Sequence, residues 1–443
     1  MDVECGSYLT THAKSAVLQK KLPVSEVDRA LHNLFSIRIR LGLFDGNPSK
    51  LSFGMIAPNE VCSKQHLYLA LEAARNGIVL LKNSAKLLPL PKTISLALIG
   101  PNANAPQTLI GNYAGPACKI ITPLQAFQHY VKNTIYHPGC DGGVKCPSAQ
   151  IDQAVEIAKK VDYVVLIMGL DQSQEREDRD RVHLDLPGKQ QELINSVAKA
   201  SKRPVVLVLL SGGPVDISSA KFDNKIGGIF WAGYPGEVGA IALAQIIFGG
   251  RLPITWYPKD FIRVPMTDMR MRADPSSGYP GRTYRFYTGP KVYEFGYGLS
   301  YTKYSYEFVS VTHNKLHFNQ SLSHLMDSET NIPYKLVSEL GTETCESMSV
   351  SVTVGVKNHG SMVGKHPVLL FTKHAKEING NPIKQLVGFE SVMLDGGESA
   401  QVGFELSPCE HLSRAKEDGS KVIEQGSHLL LLGDQHFPID III

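Results

Sequence analysis

The sequence has no apolar run approaching the roughly 20 residues that a helix needs to cross a bilayer. Its longest apolar runs, such as Pro204–Leu210, have the length of strands, so no membrane span is expected. An excess of charge of one sign is also missing, because 45 Lys and Arg residues are offset by 42 Asp and Glu residues, for a net charge of +3. This balance argues against a nucleic-acid-binding surface and against a charged disordered tail.

Common cofactor and metal motifs are absent as well. The chain has no G-x-x-x-x-G-K-[ST] loop, no G-x-G-x-x-G after a strand and no H-E-x-x-H. Cys140 and Cys146 lack the second ligand pair that a zinc site needs. We therefore expect no metal and no cofactor. The first residues, Met1–Gly6, have neither the basic nor the apolar region of a secretory signal.

Cysteine usage nevertheless favours an oxidising compartment. The chain has seven cysteines, and Cys140 and Cys146 close a short glycine-containing loop that is a candidate disulfide. An odd count would then leave one cysteine unpaired, while the alternative is that all thiols are buried and reduced. A sequon at Asn319, Asn-Gln-Ser, is a candidate glycosylation site and is compatible with secretion.

The N-terminal region, residues 1–45, has a helical pattern only. Apolar residues recur at helical spacing from Val27 to Leu41, with Ser25 as the predicted N-cap and Gly42 as the stop. Two helices cannot bury much surface alone, so we interpret this region as the tail of a larger domain. Residues 46–64, rich in Pro, Asn and Gly, are predicted to be a linker.

Residues 65–262 alternate between strand and helix patterns. Continuous apolar strands such as Val161–Met168 and Val205–Leu210 predict a mainly parallel sheet covered by helices on both faces, an α/β sandwich. Residues 263–300 are loop-rich and aromatic and form a predicted connection. In residues 301–443 the apolar pattern changes to period two, which predicts an all-β domain, a small β-sandwich.

An acidic loop, Gly169–Arg181, directly follows the predicted strand Val161–Met168. The carboxyl ends of parallel strands are where open α/β sheets bind ligands, and Glu175 and Glu177 are carboxyls that are able to protonate a leaving group. The alternative is a solvated loop with internal Arg–Glu pairs, each worth about 0–1 kcal/mol. Spacing alone slightly favours the solvated loop.

Ten segments spread along almost the whole chain stand out together: Glu26–Leu31, Arg40–Gly46, Ala73–Asn83, Ile99–Asn104, Gly111–Gly115, Gly169–Ser173, Asp180–Arg181, Gly212–Asp216, Gly281–Phe286 and Phe295–Tyr301. In this order they resemble segments of plant β-D-xylosidases of glycoside hydrolase family 3, over the C-terminal two thirds of those proteins.

The resemblance implies a (β/α)8-like barrel, then an α/β sandwich, then a fibronectin type III-like domain. Residues 1–45 would be the helical remnant of that barrel. The family retains anomeric configuration, using a barrel aspartate as nucleophile and a second-domain glutamate as acid/base, with carboxyls about 5–5.5 Å apart. The glutamate lies in an E-x-E-x-x-D-R-like loop, in which Glu175 matches best and Glu177 is the alternative. Arg176 or Arg181 would keep the other carboxylate ionised.

Beside the resemblance, this sequence departs from the pattern of the family in two places. The nucleophile motif precedes the segment matching Met1–Gly6, so the nucleophile, most of the barrel and the signal peptide are expected to be missing. Ile247–Pro253 is several residues shorter than usual. By resemblance, the substrates are xylo- or arabino-oligosaccharides outside the cell.

Three hypotheses follow: an incomplete β-xylosidase that releases no xylose as written, a non-catalytic remnant that binds sugar or a partner chain, and a related α-L-arabinofuranosidase or β-glucosidase.

Overall fold

The computed structural model describes residues 3–91, 93–246, 254–265, 267–318, 325–326, 332–376, 381–416 and 418–443. The predicted sequon at Asn319 and the shortened segment Ile247–Pro253 lie outside the described residues. The chain divides into two compact units, Met1–His66 and Leu67–Ile443.

The α-helices of the described residues are α1 (Tyr8–Leu18), α2 (Val24–Arg40), α3 (Lys64–Gly77), α4 (Pro123–Tyr130), α5 (Ile151–Lys160), α6 (Gln190–Ala200), α7 (Ser218–Phe222), α8 (Gly239–Gln245), α9 (Thr283–Phe286), α10 (Val337–Leu340), α11 (Thr342–Ser347) and α12 (Pro408–His411). Short 3-10 helices cover Pro48–Lys50, Pro58–Glu60, Ser84–Lys86, Pro106–Ile110, Gly143–Lys145 and Lys259–Arg263.

The strands are β1 (Val79–Asn83), β2 (Leu96–Ile99), β3 (Thr134–His137), β4 (Cys140–Asp141), β5 (Ser148–Ala149), β6 (Tyr163–Gly169), β7 (Val205–Leu210), β8 (Ile226–Trp231), β9 (Tyr304–Val311), β10 (Lys315–His317), β11 (Leu325–Met326), β12 (Pro333–Leu336), β13 (Val350–Asn358), β14 (Gly364–His374), β15 (Gln385–Leu394), β16 (Ser399–Leu406), β17 (Arg414–Ala415), β18 (Lys421–Glu424), β19 (Gly426–Leu432) and β20 (Gln435–Ile442).

The first unit contains α1 and α2, and neither helix has a fully buried side chain. The predicted N-cap at Ser25 is wrong, because Pro23 occupies that position in an extended conformation and α2 begins at Val24. Proline fixes its own φ and suits a position just before a helix, so the helix begins two residues earlier than the pattern indicated. Gly42, with a φ of +72°, follows the end of α2 at Arg40, as predicted.

The second unit is built on a six-stranded sheet in the order β1-β8-β7-β6-β2-β3. All neighbouring strands are parallel except β1, which pairs antiparallel with β8. The prediction of a mainly parallel sheet is therefore confirmed. The short edge strands β1 and β3 were not predicted, because their apolar patterns are too brief to stand out beside the adjacent helices.

Apolar side chains alternate between two cores on the two faces of this sheet. One core contains Ile99, Leu166 and Met168 with residues of α5 and α6, and the other contains Leu98, Val165 and Ile167 with residues of α3, α4 and α8. Each fully buried aliphatic side chain of this kind stabilises the fold by about 1.5–3 kcal/mol. Helices thus cover both faces, as expected for an α/β sandwich.

The strand order reverses at β2, because the strand that follows β2 lies on one side of it and the later strands lie on the other side. From β2 the chain passes through α4 to β3 at one edge, then through α5 to β6 on the other side of β2, and onward to β7 and β8. Loops at the carboxyl ends of neighbouring strands diverge at such a switch point, which leaves a crevice where ligands bind in open α/β sheets. The acidic loop Gly169–Arg181 begins at this point.

The C-terminal part of the second unit is a β-sandwich. Sheets β10-β20-β19-β14-β15 and β16-β13-β9 enclose a core that includes Val354, Leu370, Leu430 and Ile439. A third sheet, β11-β12-β18-β17, lies beside them, and a disulfide joins Cys345 to Cys409. Across the described part of the chain, no helix combines the length and apolar character that crossing a membrane requires.

Candidate active site

Loops from three adjacent strands meet at the side chain of Glu175. The loop after β6 carries Glu175 and Arg181, the loop after β7 carries Gly212, and the loop after β8 carries Tyr234. These strands are neighbours in the sheet and parallel, so their carboxyl ends lie along one edge. The sheet therefore places residues that are distant in sequence around one carboxylate.

The Glu175 carboxylate is bound by three donors. Its Oε1 accepts hydrogen bonds from the Gly212 amide at 2.5 Å and from the Tyr234 hydroxyl at 2.6 Å. Its Oε2 lies 3.0 Å from Nε of Arg181, and the Glu175 side chain is 16% exposed. The carboxylate is thus held in one orientation while part of it still faces solvent.

Arg181 is itself fixed by a second contact. Its Nη2 donates to the carbonyl of Pro214 at 2.8 Å, and its side chain is only 13% exposed. A Cβ built on Gly213 would lie 2.9 Å from that Nη2, so the backbone approaches the guanidinium closely and favours glycine there. The guanidinium of Arg181 is therefore fixed in position by two contacts, unlike the side chain of an exposed arginine.

Tyr234 remains protonated under ordinary conditions. Burial, and then the hydrogen bond to Glu175, raise the pKa of its phenol well above the usual value. A phenol that keeps its proton remains a donor, so its bond to Glu175 persists across the pH range of most enzymes.

The acidic loop is anchored at its base by Gln190, whose side chain is completely buried. Its Oε1 accepts from the Gly169 amide at 2.9 Å, and its Nε2 donates to the carbonyls of Gly169 at 2.8 Å and Val144 at 2.7 Å. Gly169 has a φ of +138°, and a Cβ there would lie 2.0 Å from the Leu210 carbonyl. Only glycine fits at this exit from β6.

A disulfide joins Cys140 and Cys146, the pair expected from the sequence. Val144, which accepts the hydrogen bond from Gln190, lies inside the loop that this disulfide closes. The Lys189 amide also donates to the Cys146 carbonyl at 2.8 Å. The disulfide loop therefore supports the base of the acidic loop. Cys5 is an exposed free thiol.

The second candidate carboxyl, Glu177, lies in a different environment. It is exposed, and it accepts a hydrogen bond from the Tyr113 hydroxyl, which raises the pKa of that phenol. The Tyr113 ring is 81% exposed. Arg176 and Asp180 are also exposed. Of the residues predicted in this loop, the structure thus brings together Glu175 and Arg181.

Sequence reasoning gave no role to Tyr234 and none to Tyr113. A signal was present for Tyr234, because the Gly- and Pro-containing turn Gly233–Gly236 follows the apolar strand β8, whose carboxyl end lies at the same sheet edge. No group of His, Cys, Asp and Glu side chains in the described ranges is arranged to hold a metal ion.

Comparison with known proteins identifies the family. The C-terminal domain of glycosyl hydrolase family 3 matches residues 78–301, and a fibronectin type III-like domain matches residues 366–436. Probable beta-D-xylosidase 7 of Arabidopsis thaliana is 60% identical over 448 residues, which cover 99% of this chain and 58% of that protein. Beta-xylosidase/alpha-L-arabinofuranosidase 1 of Medicago sativa subsp. varia is 44% identical, over 98% of this chain and 56% of the relative.

A solved structure supports the same assignment. A family 3 exo-beta-xylosidase (XlnD), in complex with a xylobiose aziridine activity-based probe, superposes with a TM-score of 0.84 at 31% identity. The alignment covers 100% of this chain and 56% of the solved one. The chain therefore spans somewhat more than half of the length of these relatives. On these matches, the chain belongs to glycosyl hydrolase family 3.

Proposed function

We propose that this chain supplies the acid/base part of a retaining glycoside hydrolase that releases xylose from xylo-oligosaccharides of plant cell walls. The observation that carries the proposal is the Glu175 carboxylate, held by donors from three strand ends within the matched family 3 domain. The names of the relatives, which are β-xylosidases, supply the substrate class.

In this mechanism Glu175 acts twice. As an acid it gives its proton to the glycosidic oxygen while the bond to the anomeric carbon breaks, and as a base it later removes a proton from the attacking water. The nucleophile would be a carboxylate from the segment of the relatives that this chain does not cover. Arg181, Tyr234 and Gly212 hold the carboxyl in place during both steps.

Two alternatives concern the residue and the substrate. Glu177 is the alternative acid/base, and its exposure would leave it less firmly oriented than Glu175. The Medicago relative favours a second function, because its name joins β-xylosidase to α-L-arabinofuranosidase. A non-catalytic role in binding sugar or a partner chain is the third possibility. We propose an extracellular location on the resemblance alone.

A fusion protein tests the function. This chain is joined behind the N-terminal segment of the Arabidopsis relative that it does not cover, and hydrolysis of xylobiose and of nitrophenyl β-xyloside, α-arabinofuranoside and β-glucoside is measured. We expect xylose release, reduced about 10²–10⁴-fold by Glu175→Gln and less than tenfold by the matched Glu177→Gln. A dinitrophenyl leaving group needs little protonation, so its release should fall much less in Glu175→Gln.

Other outcomes separate the alternatives. A larger loss in Glu177→Gln than in Glu175→Gln would transfer the acid/base role to Glu177. Binding of xylobiose without turnover by the folded fusion would support a non-catalytic role. Release of xylose by the 443-residue chain alone, abolished by Glu175→Gln, would show that the nucleophile does not lie outside it.

A further inference from the structure

A deep cleft of about 1200 Å³ opens on one face of the six-stranded sheet. Its floor is formed by the buried side chains of Val165 on β6 and of Val206 and Val208 on β7. Phe389 and Met393 of β15, which are both exposed, line its mouth. The cleft therefore lies between the α/β sheet and the β-sandwich, within the second unit.

The size of this cleft is that of a ligand site and not that of a packing defect. Protein interiors contain few voids larger than a water molecule, whereas clefts that bind small molecules measure about 300–1,000 Å³. Cavities with apolar walls stay dry and take up apolar molecules. The cleft is also separate from the candidate active site, because Glu175, Arg181 and Tyr234 do not line it.

The charged side chains at the cleft balance one another. Among the described residues that line it, Glu72 and Glu390 are acidic, and Arg75 and Lys365 are basic. Nζ of Lys365 lies 3.2 Å from Oε1 of Glu72, and Nε of Arg75 donates to Oε1 of Gln245 at 3.0 Å. Because both cations already contact protein partners, a charged ligand would leave water without gaining a matching charge.

Tyr301 adds a polar group to the apolar lining. Burial raises the pKa of its phenol, and within the described residues its buried hydroxyl has no hydrogen-bond partner. The hydroxyl keeps its proton and is able to donate to an oxygen of a ligand. Small-molecule sites orient their ligands in this way, with a few polar groups in a mainly apolar lining.

We propose that this cleft binds a neutral, mainly apolar small molecule whose hydroxyl or carbonyl oxygen accepts a hydrogen bond from Tyr301. The volume sets the size of the ligand, and the balanced charges exclude an ion. This second site does not depend on the role proposed for Glu175.

Competition for a neutral dye tests the ligand class. N-phenyl-1-naphthylamine, whose fluorescence rises in apolar surroundings, is mixed with the 443-residue chain. It is then displaced by dodecan-1-ol or by the ions dodecanoate and dodecylammonium, which have the same chain length. We expect the alcohol to displace the dye at least tenfold more effectively than either ion, because each ion would bring an unpaired charge into an apolar site.

Three variants locate the site. Met393→Glu places a charge at the mouth, on a side chain that is 61% exposed, and should weaken dye binding at least tenfold. Met269→Glu is the matched control, because Met269 is 81% exposed and does not line the cleft, and it should leave binding unchanged. Tyr301→Phe should weaken binding of dodecan-1-ol about fivefold, as expected for one lost hydrogen bond, while the dye binds as in the parent.

Thermal unfolding of each variant identifies folding defects, and Phe389→Glu replaces Met393→Glu if the latter does not fold. Equal dye binding in the mouth variant and in Met269→Glu would place the dye elsewhere and overturn the proposal. Equal displacement by the alcohol and both ions, or unchanged alcohol binding in folded Tyr301→Phe, would overturn the ligand class. Dimers of the chain that Met393→Glu dissociates and dodecan-1-ol does not would show that a second copy covers the cleft, and would overturn the proposal as well.

Discussion

The Tyr234 hydroxyl donates to Oε1 of Glu175 at 2.6 Å, although the two residues are 59 positions apart and follow different strands. The contact exists because β6, β7 and β8 are adjacent and parallel, so that their loops leave the sheet at one edge. Orientation of the carboxyl is thus a property of the whole sheet edge, and it is open to perturbation from positions that never touch substrate.

Gly213 is one such position. A Cβ there would lie 2.9 Å from Nη2 of Arg181, so Gly213→Ala should displace the guanidinium and reduce kcat of the fusion protein about tenfold. Gly115→Ala is the matched control, because a Cβ at Gly115 has no neighbour within 4 Å. Kinetics and thermal unfolding of both variants check the prediction. Unchanged kinetics in folded Gly213→Ala would contradict it.

The exposed pair of Tyr113 and Glu177 should affect titration far more than stability. Glu177→Gln should lower the pKa of Tyr113 toward the usual phenol value, because the hydrogen bond to Glu177 is the main cause of its rise. Unfolding temperature should hardly change, since exposed polar pairs contribute little to stability. Phenol absorbance during alkaline titration, with Tyr113→Phe to assign the signal, measures the effect. No change in that titration would show that the hydrogen bond is not formed.

His428 should make the β-sandwich sensitive to acid. Burial lowers the pKa of His428 to about 4 from an ordinary value of 6.5, and the neighbouring His374 acts in the same direction. The unfolded chain therefore binds this proton at higher pH than the folded chain. Stability from this group is complete above about pH 6.5 and is lost as pH falls to about 4, with a total of about 3 kcal/mol.

Thermal unfolding of the sandwich between pH 7 and pH 4 measures this loss. His428→Leu should flatten the dependence, whereas His436→Gln, at an exposed position, should leave it as in the parent. An equally steep dependence in His428→Leu would assign the acid sensitivity to other groups.

The disulfide between Cys140 and Cys146 should matter to catalysis as well as to stability. It closes a loop with a sequence separation of 6, so replacing both cysteines by serine should cost about 2 kcal/mol of unfolding free energy. Because Val144 in this loop accepts the Gln190 hydrogen bond, kcat of the fusion protein should fall too. The matched control replaces Cys345 and Cys409, whose disulfide lies in the β-sandwich, and should lower stability while leaving kcat unchanged.

The sequence predicted those parts of the fold in which local pattern and tertiary packing agree. Strand Val205–Leu210 has the predicted bounds, since its continuous apolar run is buried along its whole length in the sheet. Ser25 was misplaced because the conformation of Pro23, not the serine side chain, determines where α2 begins.

The candidate site was predicted only in part, for a different physical reason. Glu175 and Glu177 were visible as acidic residues after a buried strand, but their environments were not, because one is bound by residues from two other loops and the other is exposed. Strand order in the sheet, which determines which loops meet, is not encoded in local periodicity. Tyr234 therefore had no assigned role until the sheet was known.

The single buried amide of Gln190 ties the loop closed by Cys140 and Cys146 to the exit of β6. These two segments consequently form one transferable module, even though they are separated in the chain. An engineer who exchanges acidic loops between members of the family to change their leaving-group preference would have to move residues 140–146 and Gln190 together with residues 169–181. A graft of the acidic loop alone would lack the hydrogen bonds by which Gln190 anchors the base of that loop.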